Sequence, residues 1–384
     1  MNIYFDNAAT TVVLPEVADI VYKVMTKDYA NPSSLHMKGV EAERYIKKAK
    51  EQLANILKVN KKEIIFTSGG TESNNMALIG TAFANKRSGK HIIVSGIEHS
   101  SVSAPIKYLE EECFKVTVLP VDSTGRVIVE KLTEVLCADT IIVSVMYVNN
   151  EIGTIQPISE IAEAIKQSGF NPLLHVDAIQ GFGKFKIHPK KLGIDLLSIS
   201  GHKFHAPKGV GALYIADKVK INSLLYGGGQ QNDLRSGTEN VPAVAALGLA
   251  ADIAYKTLEQ NVSHMYALRN LFIKELKTIP EVFVNGALDE KAAPHILNIS
   301  FKGVRSEVLL HTLEEKGIYV SAGSACTDHK NKGSNVLKNI GLDKDLLETT
   351  IRFSFNAYNT GDEVLKCVEV IKEQLPILRR FSRK

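Results

Sequence analysis

Short apolar runs that end in polar loops alternate with stretches of helical periodicity through the first half of the chain. EIIFTSGG, HIIVSGIEHS, TIIVSVMYVNNE, LLHVDAIQG and DLLSISGHK are each rich in Ile, Val and Leu. Continuous apolar runs of this length predict strands buried on both faces of a parallel sheet. Helical patterns accompany them. GVEAERYIKKAKEQLANILKV sets Tyr45, Ile46, Ala49, Leu53, Ile56 and Leu57 on one face, and SEIAEAIKQSG starts at Ser159 and stops at Gly169. Strand and helix repeated in this way predict an α/β fold built on an open, mainly parallel sheet.

After Pro242 the pattern becomes one long helical tract, too long for a single compact helix, which predicts a break or domain crossing near Gln260. A smaller α+β unit follows: strand HILNISFKG, helix SEVLLHTLEEKG, strands IYVSAGSAC and TTIRFSFN, and a helix containing EVLKCVEVIKEQL. The expected organisation is an amino-terminal segment, residues 1–15, packing with the small domain; a large domain, 16–260; and a small carboxy-terminal domain, 261–384. No internal repeat, linker or low-complexity segment interrupts it.

Composition narrows the function. The chain has 384 residues, 45% hydrophobic and 23% charged, enough to bury large cores. Its net charge is only +4, and its Lys and Arg residues are scattered, without the aromatic-interleaved basic motifs of nucleic-acid readers. No basic region leads into a long apolar stretch near the amino terminus and no apolar run is long enough to span a membrane, so the expected location is cytoplasmic. The four cysteines, 113, 137, 326 and 367, form no CxxC, which argues against a disulfide framework or a thiol zinc site.

The polar loops carry the chemistry, because ligands of open α/β sheets collect at the carboxyl ends of strands. SGGTESNN places Gly69, Gly70 and Thr71 ahead of a helix start, where backbone N–H groups and the helix dipole suit a phosphate. IEHSS supplies His99, HVDAIQ supplies Asp177 and Gln180, and SGHK supplies Ser200, His202 and Lys203. A phosphate cradle, an acid, a flat ring and a lysine together suit pyridoxal phosphate. Lysine forms a Schiff base, the acid partners the pyridinium nitrogen, and imidazole stacks on the ring. Each signal has a plain alternative: a turn, a helix cap, a structural histidine or a solvated lysine. His202 and His205 lack the motif or the carboxylate that would complete a metal site.

Cys326 lies between a strand and the loop CTDHKNKGSN, which is expected to be exposed and mobile. His329, Lys330 and Lys332 favour a thiolate there. Cys113, Cys137 and Cys367 adjoin apolar elements and read as inert packing residues. Arg352, inside the apolar TTIRFSF, is either a fork for a substrate carboxylate or half of a structural ion pair.

Taken together, FDNAATT, NPSSLH, TSGGTESNN, EHSSV, VNNEIGTIQP, HVDAIQ, SGHKFHAPKGVG, GGGQQNDLRSGTEN and SAGSACT span nearly the whole chain. In this combination it resembles a cysteine desulfurase of the NifS and IscS type, in the class V aminotransferase group of fold type I pyridoxal-phosphate enzymes. The resemblance implies a large, seven-stranded-type sheet domain with a smaller α+β domain. It implies that Lys203 carries the cofactor as a Schiff base, His99 stacks on its ring, Asp177 holds the pyridine nitrogen and Gln180 contacts the ring hydroxyl. Gly70, Thr71, Ser200 and His202 would hold the phosphate, with Thr238 reaching the phosphate of the neighbouring subunit of a homodimer. Asn149 and Arg352 would bind the carboxylate of L-cysteine, and Cys326 would accept its sulfur. Gly70 stands where many relatives carry alanine, a difference a loop needing only a small residue tolerates.

The short RRFSRK end leaves the sulfur acceptor open between an iron–sulfur scaffold, a tRNA-thiolation protein and another carrier. Two rival readings follow from the same residues. Another class V aminotransferase or lyase would keep Lys203, Asp177 and Thr71 but have no use for Cys326, and a non-enzymatic scaffold would be expected to lose cofactor contacts.

Overall fold

A computed structural model of the chain describes residues 2–322 and 334–381. The segment Ile3–Tyr4 forms strand β1. The large sheet contains β2 (Ile64–Thr67), β3 (His91–Ser95), β4 (Lys115–Leu119), β5 (Thr140–Met146), β6 (Leu173–Asp177), β7 (Leu196–Ser200) and β8 (Gly211–Ile215). Its order is β2-β8-β7-β6-β5-β3-β4. Only β8 runs against its neighbours, β2 and β7; the remaining pairs are parallel.

The continuous apolar runs follow from burial of both sheet faces. Ile92, Val94 and Ile142 pack into one core with Val102, Ile106 and Leu109 of the helix Ser100–Glu111. Their neighbours Ile93, Val143 and Val145 point the other way, into the core that contains Leu53 and Leu57. Successive side chains in a strand face opposite sides, so covering both sides makes nearly every position apolar, and polar ones such as Ser144, His175 and Ser198 bond one another across the sheet. On the second face the helices Met37–Leu57 and Val241–Lys256 cross closely at Gly248, where a Cβ would lie 2.8 Å from the Ala49 Cα.

The long tract after Pro242 breaks at Thr257: helices Val241–Lys256 and Leu258–Leu276 meet at a 72° bend. The first lies on the large core. The second contributes Leu268, Phe272 and Leu276 to a separate core. That core lies against an antiparallel sheet made of β9 (Val282–Asn285), β10 (Ile296–Phe301), β12 (Ser321–Ala322) and β13 (Thr350–Ser354), in the order β12-β13-β10-β9. The single strand expected over IYVSAGSAC divides, because β11 (Ile318–Tyr319) pairs in parallel with β1 whereas β12 pairs with β13. Among the described residues no single helix is long and apolar enough to cross a membrane.

The amino terminus joins the two cores. Phe5 is fully buried with Phe272 and Phe355, its ring 5.2 Å from that of Phe355 in an edge-on contact. Thr11 then donates its backbone N–H to the carbonyl of His202 at 2.9 Å.

At the start of β8 two backbones nearly touch. A Cβ on Gly211 would lie 2.5 Å from the Ile199 carbonyl oxygen and 2.8 Å from Gly69 Cα, so a side chain there must push the Gly69 turn aside. Gly211→Ala is expected to destabilise the fold by about 1–3 kcal/mol, as overpacking at rigid backbone does. Urea unfolding checks this, and an unchanged midpoint would show that the turn yields freely.

Candidate active site

The carboxyl ends of the parallel strands converge on one cleft of ≈ 280 Å³. Asp177 is the last residue of β6 and Ser200 the last of β7. His99 follows β3 as the cap of the helix Ser100–Glu111. Gly70 and Thr71 begin the helix that follows β2. These residues line the cleft with Gln180, His202, Lys203 and Arg352. Strand ends bring together what the sequence separates by almost three hundred positions, from Gly70 to Arg352.

Lys203 ends a tight turn, Gly201–Lys203, directly after β7. Its Nζ donates to the carbonyls of Ala8 and Ala9 at 2.7 and 2.8 Å, so backbone from the amino-terminal segment fixes the amine. Asp177 is buried, and burial pushes its pKa above the ordinary value. Two donors oppose that shift: the Ile179 N–H at 2.9 Å and Asn74 Nδ2 at 2.8 Å. Asn74 also bonds Ser101 Oγ at 2.9 Å, tying the acid to the helix capped by His99.

His99 Nδ1 accepts the Ser101 backbone N–H at 3.1 Å, which leaves the ring proton on Nε2. Burial holds this imidazole below its ordinary pKa, hence neutral. His202 is held lower still, to about 4, by burial and then by Lys203, while its Nδ1 lies 3.2 Å from Thr10 Oγ1. Gln180 donates to the Ala8 carbonyl at 3.0 Å, and its buried Oε1 has no protein partner.

A pyridoxal phosphate group fits these residues. Lys203 offers a primary amine and Asp177 a buried carboxylate that a pyridinium N–H would compensate. The orphaned Gln180 Oε1 can accept from a ring hydroxyl, and Gly70, Thr71, Ser200 and His202 line the part of the cleft at a helix start suited to phosphate.

Asn149 and Thr238 are placed differently from the residues that line the cleft. The Asn149 side chain is consumed by its own turn: Nδ2 donates to the Ile97 carbonyl at 3.0 Å, and Oδ1 accepts the backbone N–H groups of Glu151 and Ile152. Its neighbour Asn150 lines the cleft instead. Thr238 is exposed on the loop following Gly227 and is not among the residues lining its own chain's cleft. Cys326 lies outside the described residues. Of the other cysteines, Cys367 is buried as expected. Cys113 is exposed at φ 65°, and Cys137 is half-buried with Sγ 3.6 Å from His91 Nδ1, so neither is simple packing.

Arg352 forms the ion pair that one reading expects and also lines the cleft. Nη2 donates to Asp6 Oδ1 and Nη1 to the Asn150 carbonyl, each at 2.9 Å, while the fork stays at the cleft and buried Nε keeps no partner. Asp6, Asn74, Glu98 and Asn150 were not singled out from sequence. Three of them stand inside quoted motifs, FDNAATT, TSGGTESNN and VNNEIGTIQP, and Glu98 opens EHSSV, but no spacing rule assigns such positions a role.

Fold and site together define a pyridoxal-phosphate-dependent enzyme. Residues 3–366 match the family Aminotransferase class-V. The chain is 43% identical over 380 residues to the cysteine desulfurase IscS of Methanosarcina thermophila, covering 99% of this chain and 93% of that protein. Among solved structures it is similar to a NifS-like protein, with TM-score 0.93 and 39% identity over 98% of this chain and 100% of the other. It is also similar to SspA in complex with cysteine, with TM-score 0.82 and 32% identity over 94% and 100%. The chain belongs to the class V aminotransferase family and, within it, to the cysteine desulfurases.

Glu98 gives the site a measurable pH signature. Its Oε1 accepts from Ser95 Oγ and the Met146 N–H, its buried Oε2 has no partner, and burial, with Asp177 nearby, pushes its pKa up to about 8. The folded chain therefore keeps a proton that the unfolded chain loses near the ordinary value of 4.5, and stability falls as pH rises between the two. For this group the slope is about 1.4 kcal/mol per pH unit. Glu98→Gln, which preserves the acceptor and has no proton to lose, is expected to flatten unfolding free energy between about pH 5 and 8. Urea titrations of both proteins across that range decide it; parallel curves would exclude the protonated carboxyl.

Proposed function

We propose that this enzyme converts L-cysteine to L-alanine and transfers the sulfur to Cys326 as a persulfide. The observation that carries the reading is the Lys203 amine, held by the Ala8 and Ala9 carbonyls in a cleft with His99, Asp177 and Arg352. Bound pyridoxal phosphate supplies an electron sink for the substrate α-carbon.

The protein's groups divide the remaining work. Asp177 would hold the ring nitrogen with its buried carboxylate, and His99 would stack on the ring, its Nδ1 accepting from Ser101 and leaving Nε2–H available. Gly70, Thr71, Ser200 and His202 would hold the phosphate, and Gln180 Oε1 would accept from the ring hydroxyl. Arg352, anchored by Asp6, receives the substrate carboxylate, with Asn150 beside it in place of Asn149. Lys203, once exchanged for the substrate amine, takes and returns the α-proton. Cys326 thiolate attacks the substrate sulfur: the S–S bond forms as the Cβ–S bond breaks, the bonding pair passes to carbon, and protonation there gives alanine. No external oxidant or reductant is needed.

A homodimer completes the site. Thr238 would serve the phosphate of a second copy, and Tyr22, Met25, Tyr29, Leu35 and Met37 are each large apolar residues left exposed, as those that a second subunit covers would be. The chain would work in the cytoplasm. Its organisation is a segment over 1–15 tied to the small domain, a large domain over 16–260 and a small one over 261–384. The persulfide then passes to an acceptor protein, an iron–sulfur scaffold or a tRNA-thiolation protein.

Two variants separate this reaction from others on the same fold. Lys203→Ala is expected to lose both the borohydride-fixable cofactor adduct and alanine release. Cys326→Ala is expected to keep the adduct and release no alanine above background. Alanine formed at the wild-type rate without the Cys326 thiol would transfer the assignment to another lyase or aminotransferase.

A further inference from the structure

A second cavity, of ≈ 40 Å³, shares Lys203 with the catalytic cleft. It is lined by Lys184 and His295 together with Asn7, His205 and Tyr358, and no Asp or Glu among the described residues lines it. Lys184 Nζ donates to the backbone carbonyl of Lys203. His295 is buried at 2% exposure, and neither ring nitrogen has a protein partner. A buried N–H without an acceptor is unfavourable, and so is a buried ammonium without counter-charge.

The surroundings make the deficit one of charge as well as hydrogen bonds. Burial, and then the nearby Lys184, Arg352 and Lys203, disfavour protonation of His295, so the imidazole is neutral and carries one N–H. Water would satisfy hydrogen bonds here but leave the positive charge uncompensated. A small anion does both, accepting from the ammonium and from the imidazole. The volume admits about one or two water-sized occupants, which excludes an organic substrate.

We propose that this cavity binds one chloride-sized monovalent anion between the Lys184 ammonium and the His295 N–H. Such an ion screens the positive charge beside Lys203 without entering the catalytic cleft, and the site does not depend on which reaction the enzyme performs.

The titratable groups around the Lys184 amine are Lys203, His202, His205, His295 and Tyr358. Burial and then Lys203 bring the Lys184 pKa down to about 7. The ammonium that attracts the anion is thus present below that pH and lost above it, so affinity should fall about tenfold per pH unit above neutrality.

The test uses cofactor-loaded protein freed of halide, with melting temperature compared in chloride and in gluconate, too large for the cavity, at equal ionic strength. The expected result at about pH 6.5 is a rise of several degrees specific to chloride, diminished at about pH 8.5. Lys184→Gln, which retains a donor to the Lys203 carbonyl without the charge, and His295→Phe, which removes the N–H, should each abolish the difference. Equal melting in the two salts, or a chloride effect that survives either variant, overturns the proposal. If the variants do not fold, crystals of the wild type soaked in bromide decide it by anomalous scattering: a peak between Lys184 and His295 supports the site, and water alone there refutes it.

Discussion

The catalytic geometry depends on a few backbone carbonyls at the amino terminus. Ala8 and Ala9 accept from the Lys203 amine, and Ala8 also accepts from Gln180. The same segment is fixed at both ends. Phe5 is locked among the aromatics of the small domain and Thr11 bonds the carbonyl of His202 in the large one. An amine held this way is oriented by elements from both cores, and movement of one core against the other would be felt first at Lys203. Asp6 extends the constraint by anchoring Arg352, which brings a residue of the small sheet to the edge of a cleft formed by the large one.

Beneath the cleft the dominant constraint is desolvation. Asp177, Glu98 and Glu151 are carboxyl groups enclosed at or near strand ends, and burial pushes all three pKa values upward. Their hydrogen bonds separate their roles. Asp177 receives donors on both oxygens, which favours its anion; Glu98 receives donors on Oε1 alone, which leaves Oε2 to carry a proton. One site thus holds a charge where a cationic ring nitrogen is needed and suppresses a second charge beside it.

Much of this was legible in sequence because apolar runs emptying into polar loops specify both a parallel sheet and where its ligands gather. Two strands of the large sheet escaped notice for physical reasons. β4 lies at the sheet edge with a mostly solvent-facing pattern, and β8 enters the sheet against the direction of its neighbours. Sequence cannot tell Asn149 from Asn150, because adjacent residues of one type differ only in which way the turn points them. The part played by Ala8 and Ala9 could not be read at all, since it is performed by carbonyls that every residue possesses. Motif resemblance marked FDNAATT as significant without explaining why, and the explanation lies in backbone geometry.

The same distinction bears on the positive charge around Lys203. Lys184 and Lys203 stand nineteen residues apart on separate loops, and nothing in their spacing relates them. Folding places the buried Lys184 amine on the Lys203 carbonyl, and burial followed by the Lys203 charge disfavours its protonation. A lysine that must act as a neutral amine benefits from a cationic neighbour, but that neighbour is itself costly to bury unless something compensates it. The carbonyls of Ala8 and Ala9 restrain the Lys203 amine, and the Lys203 carbonyl partly satisfies Lys184. Neither supplies a negative charge. Asp177 acts electrostatically on Lys203, whereas Lys184 faces, with His295, a cavity lined by no Asp or Glu among the described residues, a feature away from the reacting atoms that no motif marks.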